Sequence, residues 1–153
     1  MQTVKRVKGT VALTVVVLLC TVLFSLLSLG PAKAAPGDTV LASTSSSGGQ
    51  GDNGSSYPSM TPDDRYVAFV SSATNLVEGD TNGYEDIFRK DLTTGQTLLV
   101  STSSSGAQGD SGSGYPSISS DGRYVAFESN ATNLVEGDTN GYGDVFRKDL
   151  TTG

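Results

Sequence analysis

The residues best suited to bind an ion lie in one acidic, glycine-containing segment that occurs twice. Residues 79–86 read Gly-Asp-Thr-Asn-Gly-Tyr-Glu-Asp, and residues 137–144 repeat them with Gly143 in place of Glu85. Hard cations such as calcium take several oxygen ligands from a tight loop that contains glycine. The candidate calcium ligands are the side-chain oxygens at relative positions 1, 3 and 7 of the two copies: Asp80, Asn82, Asp86, Asp138, Asn140 and Asp144.

The same segment has a simpler interpretation as a tight loop without a metal. Asn82-Gly83 is a pair that supplies positive φ, and aspartates in turns cap backbone amides. An EF-hand takes ligands from a twelve-residue loop with a terminal glutamate, and this segment is shorter. Gly143 also shows that the carboxylate of Glu85 is not required in both copies. We favour the loop interpretation, keep calcium as a candidate ligand and predict no other cofactor.

The residue types after Ala35 argue against an enzyme. This part of the chain contains neither cysteine nor histidine, so Ser-His-Asp and Cys-His arrangements cannot form there. Carboxylate pairs such as Asp63 and Asp64 are present. Acid–base catalysis at a glycosidic bond depends on the distance between the two carboxyl groups in the folded protein, and their spacing in the sequence does not give that distance. Turns account for the many aspartates. We therefore predict no catalytic residues.

The charge of the chain limits its partners. The sequence has 16 acidic and 10 basic residues, and all of the acidic ones but only six of the basic ones follow Ala35. That part therefore carries a net charge of about −10 against −6 for the whole chain. Because an acidic surface repels phosphate backbones, we expect no nucleic-acid partner and consider a protein or a glycan instead.

The first 34 residues are typical of an export signal. Three basic residues lie between positions 5 and 8, an apolar run spans 11–29, and Ala32-Lys33-Ala34 fits a signal-peptidase site. Cleavage between Ala34 and Ala35 would release residues 35–153. The alternative is an uncleaved membrane anchor, since the apolar run approaches bilayer-spanning length. Either case predicts an extracytoplasmic location, secreted or periplasmic, with membrane contact only if the segment is retained.

An internal repeat is the dominant feature of the remaining sequence. A shift of 58 residues aligns residues 39–95 with 97–153 without a gap, and 44 of the 57 aligned positions are identical. Within each copy, short apolar runs alternate with turn residues, and no helical period follows residue 29. We predict strands over residues 57–61, 66–70, 86–92 and 97–102 and at the equivalent positions of the second copy. Residues 39–44 are predicted as a further strand.

One family resembles this pattern. Ser-x-Asp-Gly-Arg-Tyr-Val-Ala-Phe over residues 119–127, with Asp-Val-Phe-x-x-Asp-Leu-x-Thr-Gly over 144–153, is similar to the TolB-type, WD-like β-propeller repeat of exported bacterial proteins. The first copy matches more loosely over 61–69 and 86–95, because Asp64 stands where the family has glycine. The resemblance implies four-stranded blades around a channel, with a looser hairpin at Asp64. It implies no single activity.

The segments between the strands carry two further candidates. Tyr57 and Tyr115 could line a channel mouth and stack on a sugar, although a packed blade aromatic is the favoured interpretation. The Gln-Gly-Asp sequences beginning at Gln50 and Gln108 could contact a ligand, although the Ser/Gly-rich segments 43–56 and 101–114 are typical of linkers.

The predicted fold class is all-β, with two blade equivalents where a closed ring takes about four to eight. Apolar blade faces require neighbours. The favoured explanation is that the chain is a fragment of a longer propeller, which supplies further propeller blades in cis; the alternative is that other copies of this chain complete the ring. The leading functional hypothesis is an exported, non-catalytic scaffold for a protein or glycan. The alternatives are the propeller portion of a larger secreted hydrolase or peptidase, and a calcium-stabilised surface or adhesion protein.

Overall fold

The structure is a computed structural model and describes residues 37–151. These residues form seven β-strands in two antiparallel sheets. The first sheet, here called blade one, has the order β1 (Ser55–Met60), β2 (Tyr66–Ser71), β3 (Asp86–Asp91) and β4 (Thr97–Leu99). The second sheet, blade two, has the order β5 (Ser113–Ile118), β6 (Tyr124–Ser129) and β7 (Asp144–Asp149). The all-β prediction of propeller-type blades is confirmed, and within the described residues the two blades form no closed ring.

The first hairpin of each blade closes through a turn that requires positive φ. In blade two the residue is Gly122, with φ 72°, and its amide donates to the carbonyl of Ser119 over 2.8 Å. In blade one Asp64 adopts φ 59°, and its amide donates to the carbonyl of Thr61 over 3.0 Å. Aspartate tolerates the left-handed region better than most residues. The two turns therefore share one hydrogen-bond pattern, and the expected looser hairpin at Asp64 is not seen.

The strand predicted over residues 39–44 does not form. This segment contributes one isolated bridge, between Thr44 and Gln50, and the equivalent bridge joins Thr102 and Gln108 in the second copy. The equivalent residues Thr97–Leu99 form β4 because β3 lies beside them as a partner, with Leu99 opposite Phe88. Among the described residues, 39–44 have no such partner, and the strand prediction was wrong for this reason.

Each blade has two faces, because successive side chains of a strand point to opposite sides of its sheet. We call the face that blade one turns toward blade two its distal face; it carries Ala68, Val70 and Ile87. The face that blade two turns toward blade one is its proximal face, with Val125, Phe127 and Leu134. These six side chains and Val100 form one buried cluster between the sheets. The proximal face of blade one forms a second cluster, which contains Val67, Phe69, Leu76 and Phe88, with Ala42 packed against it.

The N-terminal predictions lie outside the described residues. The signal segment 1–34 and the cleavage position between Ala34 and Ala35 therefore stay predictions. In the described part of the chain, no helix is long and apolar enough to span a membrane.

A buried lysine attaches the N-terminal segment to blade one. Lys90 is 4% exposed, and its Nζ donates to the carbonyls of Thr44, Ser45 and Gly95 at 2.7–3.1 Å. Burial lowers the pKa of Lys90. In blade two the Nζ of Lys148 donates to the carbonyl of Ser103 at 2.7 Å. The segment before each blade is thus held by an ammonium group on the third strand of that blade.

An ion pair fixes the same end of β3, at the residue that follows Lys90. Oδ2 of Asp91 accepts from Nη2 of Arg65 at 2.9 Å, and Oδ1 accepts from the amides of Thr93 and Thr94 at 2.8 and 3.1 Å. Burial raises the pKa of Asp91, but the hydrogen bonds from Arg65 and the two threonine amides outweigh it and leave this pKa below its usual value. Asp149 makes the same contacts with Arg123 and Thr151 in blade two.

The first prediction concerns Asp91→Asn. Because the pKa of Asp91 is depressed in the folded state, its stabilising effect is present above its ordinary pKa and is lost as pH falls. At pH 7 we expect Asp91→Asn to lower the free energy of unfolding by about 1–2 kcal/mol, since Arg65 is partly exposed and the pair is screened by water. Urea titrations at pH 7 and pH 3 measure the effect.

The control for this prediction is Glu78→Gln, which removes one negative charge from an exposed side chain. The difference between the Asp91→Asn chain and the original chain should shrink toward pH 3, whereas Glu78→Gln should change little at either pH. A loss that persists unchanged at pH 3 would contradict the assignment to the carboxylate.

Candidate functional site

The acidic segment 79–86 forms a tight loop that leads from β2 into β3. Gly79 and Gly83 have φ values of 85° and 73°, in the left-handed region that favours glycine. Oδ1 of Asn82 accepts from the amide of Tyr84 at 2.9 Å, which is an Asx-type turn. These contacts bring Asp80, Asn82 and Asp86 to one side of the loop, beside the start of blade two.

A glutamine from the connection between the blades enters this loop. Nε2 of Gln108 donates to Oδ1 of Asp80 at 2.8 Å and to Oδ2 of Asp86 at 2.9 Å. Nδ2 of Asn82 donates to the same Oδ2 of Asp86 at 2.8 Å and to the carbonyl of Gly109 at 3.0 Å. We call this set of contacts the interblade node. It joins the β2–β3 loop of blade one to the segment that leads into blade two.

Asp86 is the electrostatic centre of the interblade node. The residue is fully buried, and its Oδ1 accepts from the hydroxyl of Ser101 at 2.5 Å. Burial raises the pKa of Asp86, and the negative charge of Asp80 adds to this rise, while the hydrogen bonds from Ser101, Asn82 and Gln108 oppose it. A raised pKa means that the ionised form is less stable in the folded state. The amide and hydroxyl donors therefore compensate for two carboxylates held close together.

The second copy of the loop keeps the internal contacts and is more exposed. Nδ2 of Asn140 donates to Oδ2 of Asp144 at 2.9 Å, and Oδ1 of Asn140 accepts from the amide of Tyr142 at 2.7 Å. Asp138 and Asp144 are half-buried, whereas Asp80 and Asp86 are buried. The difference is that the connection carrying Gln108 covers the first loop, and the second loop has no equivalent cover among the described residues.

The candidate calcium ligands come together in each copy, with an amide side chain among the carboxylates. The amide of Gln108 occupies the space between Asp80 and Asp86. Within residues 37–151, no group of three or more His, Cys, Asp or Glu side chains has an arrangement that could hold a metal ion. Calcium binding at these loops stays a prediction.

Two tyrosines form a second candidate site. Tyr57 on β1 and Tyr115 on β5 lie side by side, with ring centroids 5.0 Å apart and ring planes tilted by 52°. Both have positive φ, 51° and 53°, at a shift in strand register. Their side chains are 55% and 61% exposed, so the favoured interpretation as packed blade aromatics was wrong. The bulged backbone turns both rings outward.

The surroundings of the tyrosine pair are negatively charged. Interaction with the neighbouring phenol of Tyr57 raises the pKa of Tyr115, and the carboxylates of Glu128 and Glu85 raise it further. Tyr115 therefore stays protonated at neutral pH, and the pair presents two aromatic faces and two phenol oxygens beside carboxylates. Such a surface can stack on a sugar ring or on a cationic or aromatic side chain.

Sequence reasoning missed the role of Gln108. The composition around the Gln-Gly-Asp sequences predicts linkers. In the second of these sequences, however, Gln108 contacts two of the six candidate calcium ligands, Asp80 and Asp86. A usable signal was present, because Gln50 and Gln108 occupy the same position in both copies, in segments otherwise rich in serine and glycine. Asp52 and Asp110 of the same motif bind the hydroxyls of Thr74 and Thr132 at 2.9 and 2.8 Å.

Comparison with known proteins finds similarity to solved structures. No protein-family model matches the chain, and no curated protein matches it either. The crystal structure of TolB from Acinetobacter baumannii is similar at 25% sequence identity, with a TM-score of 0.40. The match covers 65% of this chain and 20% of the TolB chain, so this chain spans about a fifth of that protein.

The second prediction concerns Gln108→Glu. The substitution replaces an amide donor by a third carboxylate beside Asp80 and Asp86, in a site where burial already disfavours charge. We expect the free energy of unfolding to fall by about 2–4 kcal/mol at pH 7, the range typical of an uncompensated charge in a buried network. The loss should become smaller as the pH is lowered and the carboxylates are protonated.

Gln50→Glu is the matched control, because Gln50 holds the same position in the first copy and its side chain is exposed. It should change the unfolding free energy by less than about 0.5 kcal/mol. Equal effects of the two substitutions would contradict the interblade node.

The predicted calcium site is tested by the melting temperature of each chain, measured once with calcium and once with a chelator. A rise in melting temperature with calcium would support the predicted metal site, and an unchanged temperature would count against it.

Proposed function

We propose that this chain is an exported, non-catalytic β-propeller module that serves as an interaction scaffold for a protein or glycan partner. The observation that carries the proposal is the exposed tyrosine pair of Tyr57 and Tyr115. Both residues have a strained backbone conformation with positive φ, and both rings are exposed to solvent. A left-handed backbone at a residue other than glycine costs about 1–2 kcal/mol, so backbone conformation alone would favour glycine at these two positions.

The position of the pair also favours an interaction surface. Tyr57 and Tyr115 occupy equivalent places on β1 and β5, the first strands of adjacent blades, and their rings touch across the blade boundary. A propeller presents one such position from every blade. Rigid strands thus hold a row of aromatic side chains at fixed spacing, and rigid aromatic contacts bind at low entropic cost.

The same proposal includes two further points, that the chain is not an enzyme and that it is exported. Both are supported by the sequence. Histidine and cysteine do not occur after Ala35. The basic head, the apolar run and Ala-Lys-Ala at 32–34 support export. An exported module with a net charge of about −10 after Ala35 favours neutral or cationic partners over nucleic acid.

The third prediction concerns the glycine variants Tyr57→Gly and Tyr115→Gly. Glycine relieves the backbone strain, and each tyrosine is more than half exposed, so little buried area is lost. We expect the free energy of unfolding to stay within about 1 kcal/mol of the original chain or to rise. A fall of more than about 2 kcal/mol in either variant would show that the tyrosines are required for folding.

Binding by the same variants tests the proposal itself. The full chain should bind members of a printed array of neutral and amino-substituted glycans, or cross-link to proteins of the cell envelope. Binding should be lost in Tyr57→Gly and Tyr115→Gly and kept in Tyr142→Ala, which removes a tyrosine that is 78% exposed outside the pair. Binding that survives both glycine substitutions would overturn the assignment of this surface.

A further inference from the structure

The chain contains three Asn-Gly sequences, at residues 53–54, 82–83 and 140–141. The side-chain amide of an asparagine is open to attack by the main-chain nitrogen of the next residue, and glycine hinders this attack least because it has no Cβ atom. Because the reacting pair is the same at all three sites, any large difference in their reactivity in the folded chain comes from their surroundings. The hydrogen bonds of the three side chains differ.

Asn82 is the most restrained of the three asparagines. Its Nδ2 donates to Oδ2 of Asp86 at 2.8 Å and to the carbonyl of Gly109 at 3.0 Å, and its Oδ1 accepts from the amide of Tyr84 at 2.9 Å. The bond to Gly109 joins the β2–β3 loop to the segment that leads into blade two. The side chain therefore cannot turn toward the amide nitrogen of Gly83 without breaking these bonds.

Asn140 has the same internal contacts but lacks the contact between blades. Its Nδ2 donates to Oδ2 of Asp144 at 2.9 Å, and its Oδ1 accepts from the amide of Tyr142 at 2.7 Å. Among the described residues, no connection supplies the acceptor that Gly109 supplies in the first copy. Asn140 is also exposed, whereas Asn82 is half-buried. Asn140 is therefore the matched comparison for the effect of the blade contact.

Asn53 is exposed and is already in contact with the nitrogen that can attack it. Its Oδ1 accepts from the amide of Gly54 at 2.8 Å. Because Oδ1 is bonded to Cγ, this hydrogen bond holds the Gly54 nitrogen beside the carbon atom of the side-chain amide. Within residues 37–151 the side chain of Asn53 makes no other hydrogen bond. Reacting groups held close together in this way have little entropy left to lose.

We propose that Asn53 is a site of spontaneous deamidation and that the blade contact protects Asn82 from the same reaction. The amide nitrogen of Gly54 loses its proton to hydroxide and bonds to Cγ of Asn53. The bond from Cγ to Nδ2 breaks, and Nδ2 leaves as ammonia after taking a proton from water, which closes a succinimide ring. Water then opens the ring at either carbonyl and gives aspartate or isoaspartate. In sum, the reaction consumes one water and releases one ammonia.

The modification changes the chain between two anchored residues. On one side, Oδ1 of Asp52 accepts from the amide of Thr74 at 2.8 Å. On the other side, the carbonyl of Gly54 accepts from the amide of Ser72 at 3.1 Å, and β1 begins at the next residue. Isoaspartate at position 53 leads the main chain through Cβ and so adds one carbon atom between the anchors. We therefore expect the bond from Ser72 to Gly54 to weaken.

The test follows the reaction at all three sites in one chain. The full chain is incubated at mildly alkaline pH, folded or in urea, and aspartyl and isoaspartyl peptides are measured over time by mass spectrometry. In urea the three sites should react at similar rates. In the folded chain Asn82 should react about tenfold more slowly than Asn53 or slower still, since bonds worth about two net hydrogen bonds must first break. Asn140 should lie between them.

Two rate comparisons can overturn the proposal. Equal rates at Asn53 and Asn82 in the folded chain would contradict the assignment of Asn53 as the reactive site. Equal rates at Asn82 and Asn140 would contradict protection by the blade contact. Both comparisons are made within one folded chain and need nothing from the proposed function, so binding by the tyrosine variants can fail while this proposal stands.

Gly54→Ala tests the attacking nitrogen. A Cβ atom at position 54 would meet no atom within 4 Å, so the chain should fold as before, and the added methyl group should slow the reaction of Asn53 to the rate of Asn82 or below. The matched control is Gly114→Ala, where the space is equally open and the preceding residue is Ser113. An unchanged rate at Asn53 in Gly54→Ala would overturn the mechanism.

Hydrogen exchange of the incubated chain tests the consequence for the fold. The amide of Ser72 should exchange faster once position 53 is isoaspartate. The amide of Asn130 is the control, because it donates to the carbonyl of Gly112 at 3.1 Å in the second copy, where Ser111 stands in place of Asn53. Equal exchange at Ser72 before and after the reaction would contradict the predicted displacement.

Discussion

The structure depends on the apolar contact between two sheets that could not be stable alone. Each blade is a single antiparallel layer, and a layer with apolar residues on both faces has to be covered on both sides. The distal face of blade one and the proximal face of blade two cover each other through Val70, Ile87, Val125 and Phe127. The other features described above, including the polar contacts at the edge of the boundary, follow from this stacking.

Polar contacts give the stacked blades a fixed relative position. The interblade node links Gln108 to Asp80 and Asp86 on one side of the boundary. The contact of Arg89 and Tyr66 with Gly122 fixes the opposite hairpin. Apolar packing has no preferred direction, whereas these bonds are satisfied in one arrangement only. The same arrangement brings Tyr57 beside Tyr115, so the proposed ligand surface is a product of the blade contact.

Much of the fold could be predicted from the sequence, because local patterns determine it. The apolar run at 66–70, the Asp-Gly turn at 121–122 and the 58-residue repeat predicted β2, the hairpin of blade two and the two-blade organisation. The strand predicted at 39–44 failed because pairing depends on a partner strand that the pattern does not contain. The pairing of Gln108 with Asp80 was missed because these residues lie 28 positions apart and meet only when the blades stack. The exposure of Tyr57 depends on a bulge that alternation alone does not indicate.

The most direct test of the central claim, that close blade stacking determines the structure, is the unfolding free energy of the reciprocal variants Gly122→Asp and Asp64→Gly. Asp64 already adopts positive φ, so the backbone of this turn accepts either aspartate or glycine. A difference in unfolding free energy between the two variants therefore reports on the contact between the blades. The contact with Tyr66 predicts a loss of at least about 2 kcal/mol for Gly122→Asp and a change below about 1 kcal/mol for Asp64→Gly. Equal and small changes in both variants would contradict the account.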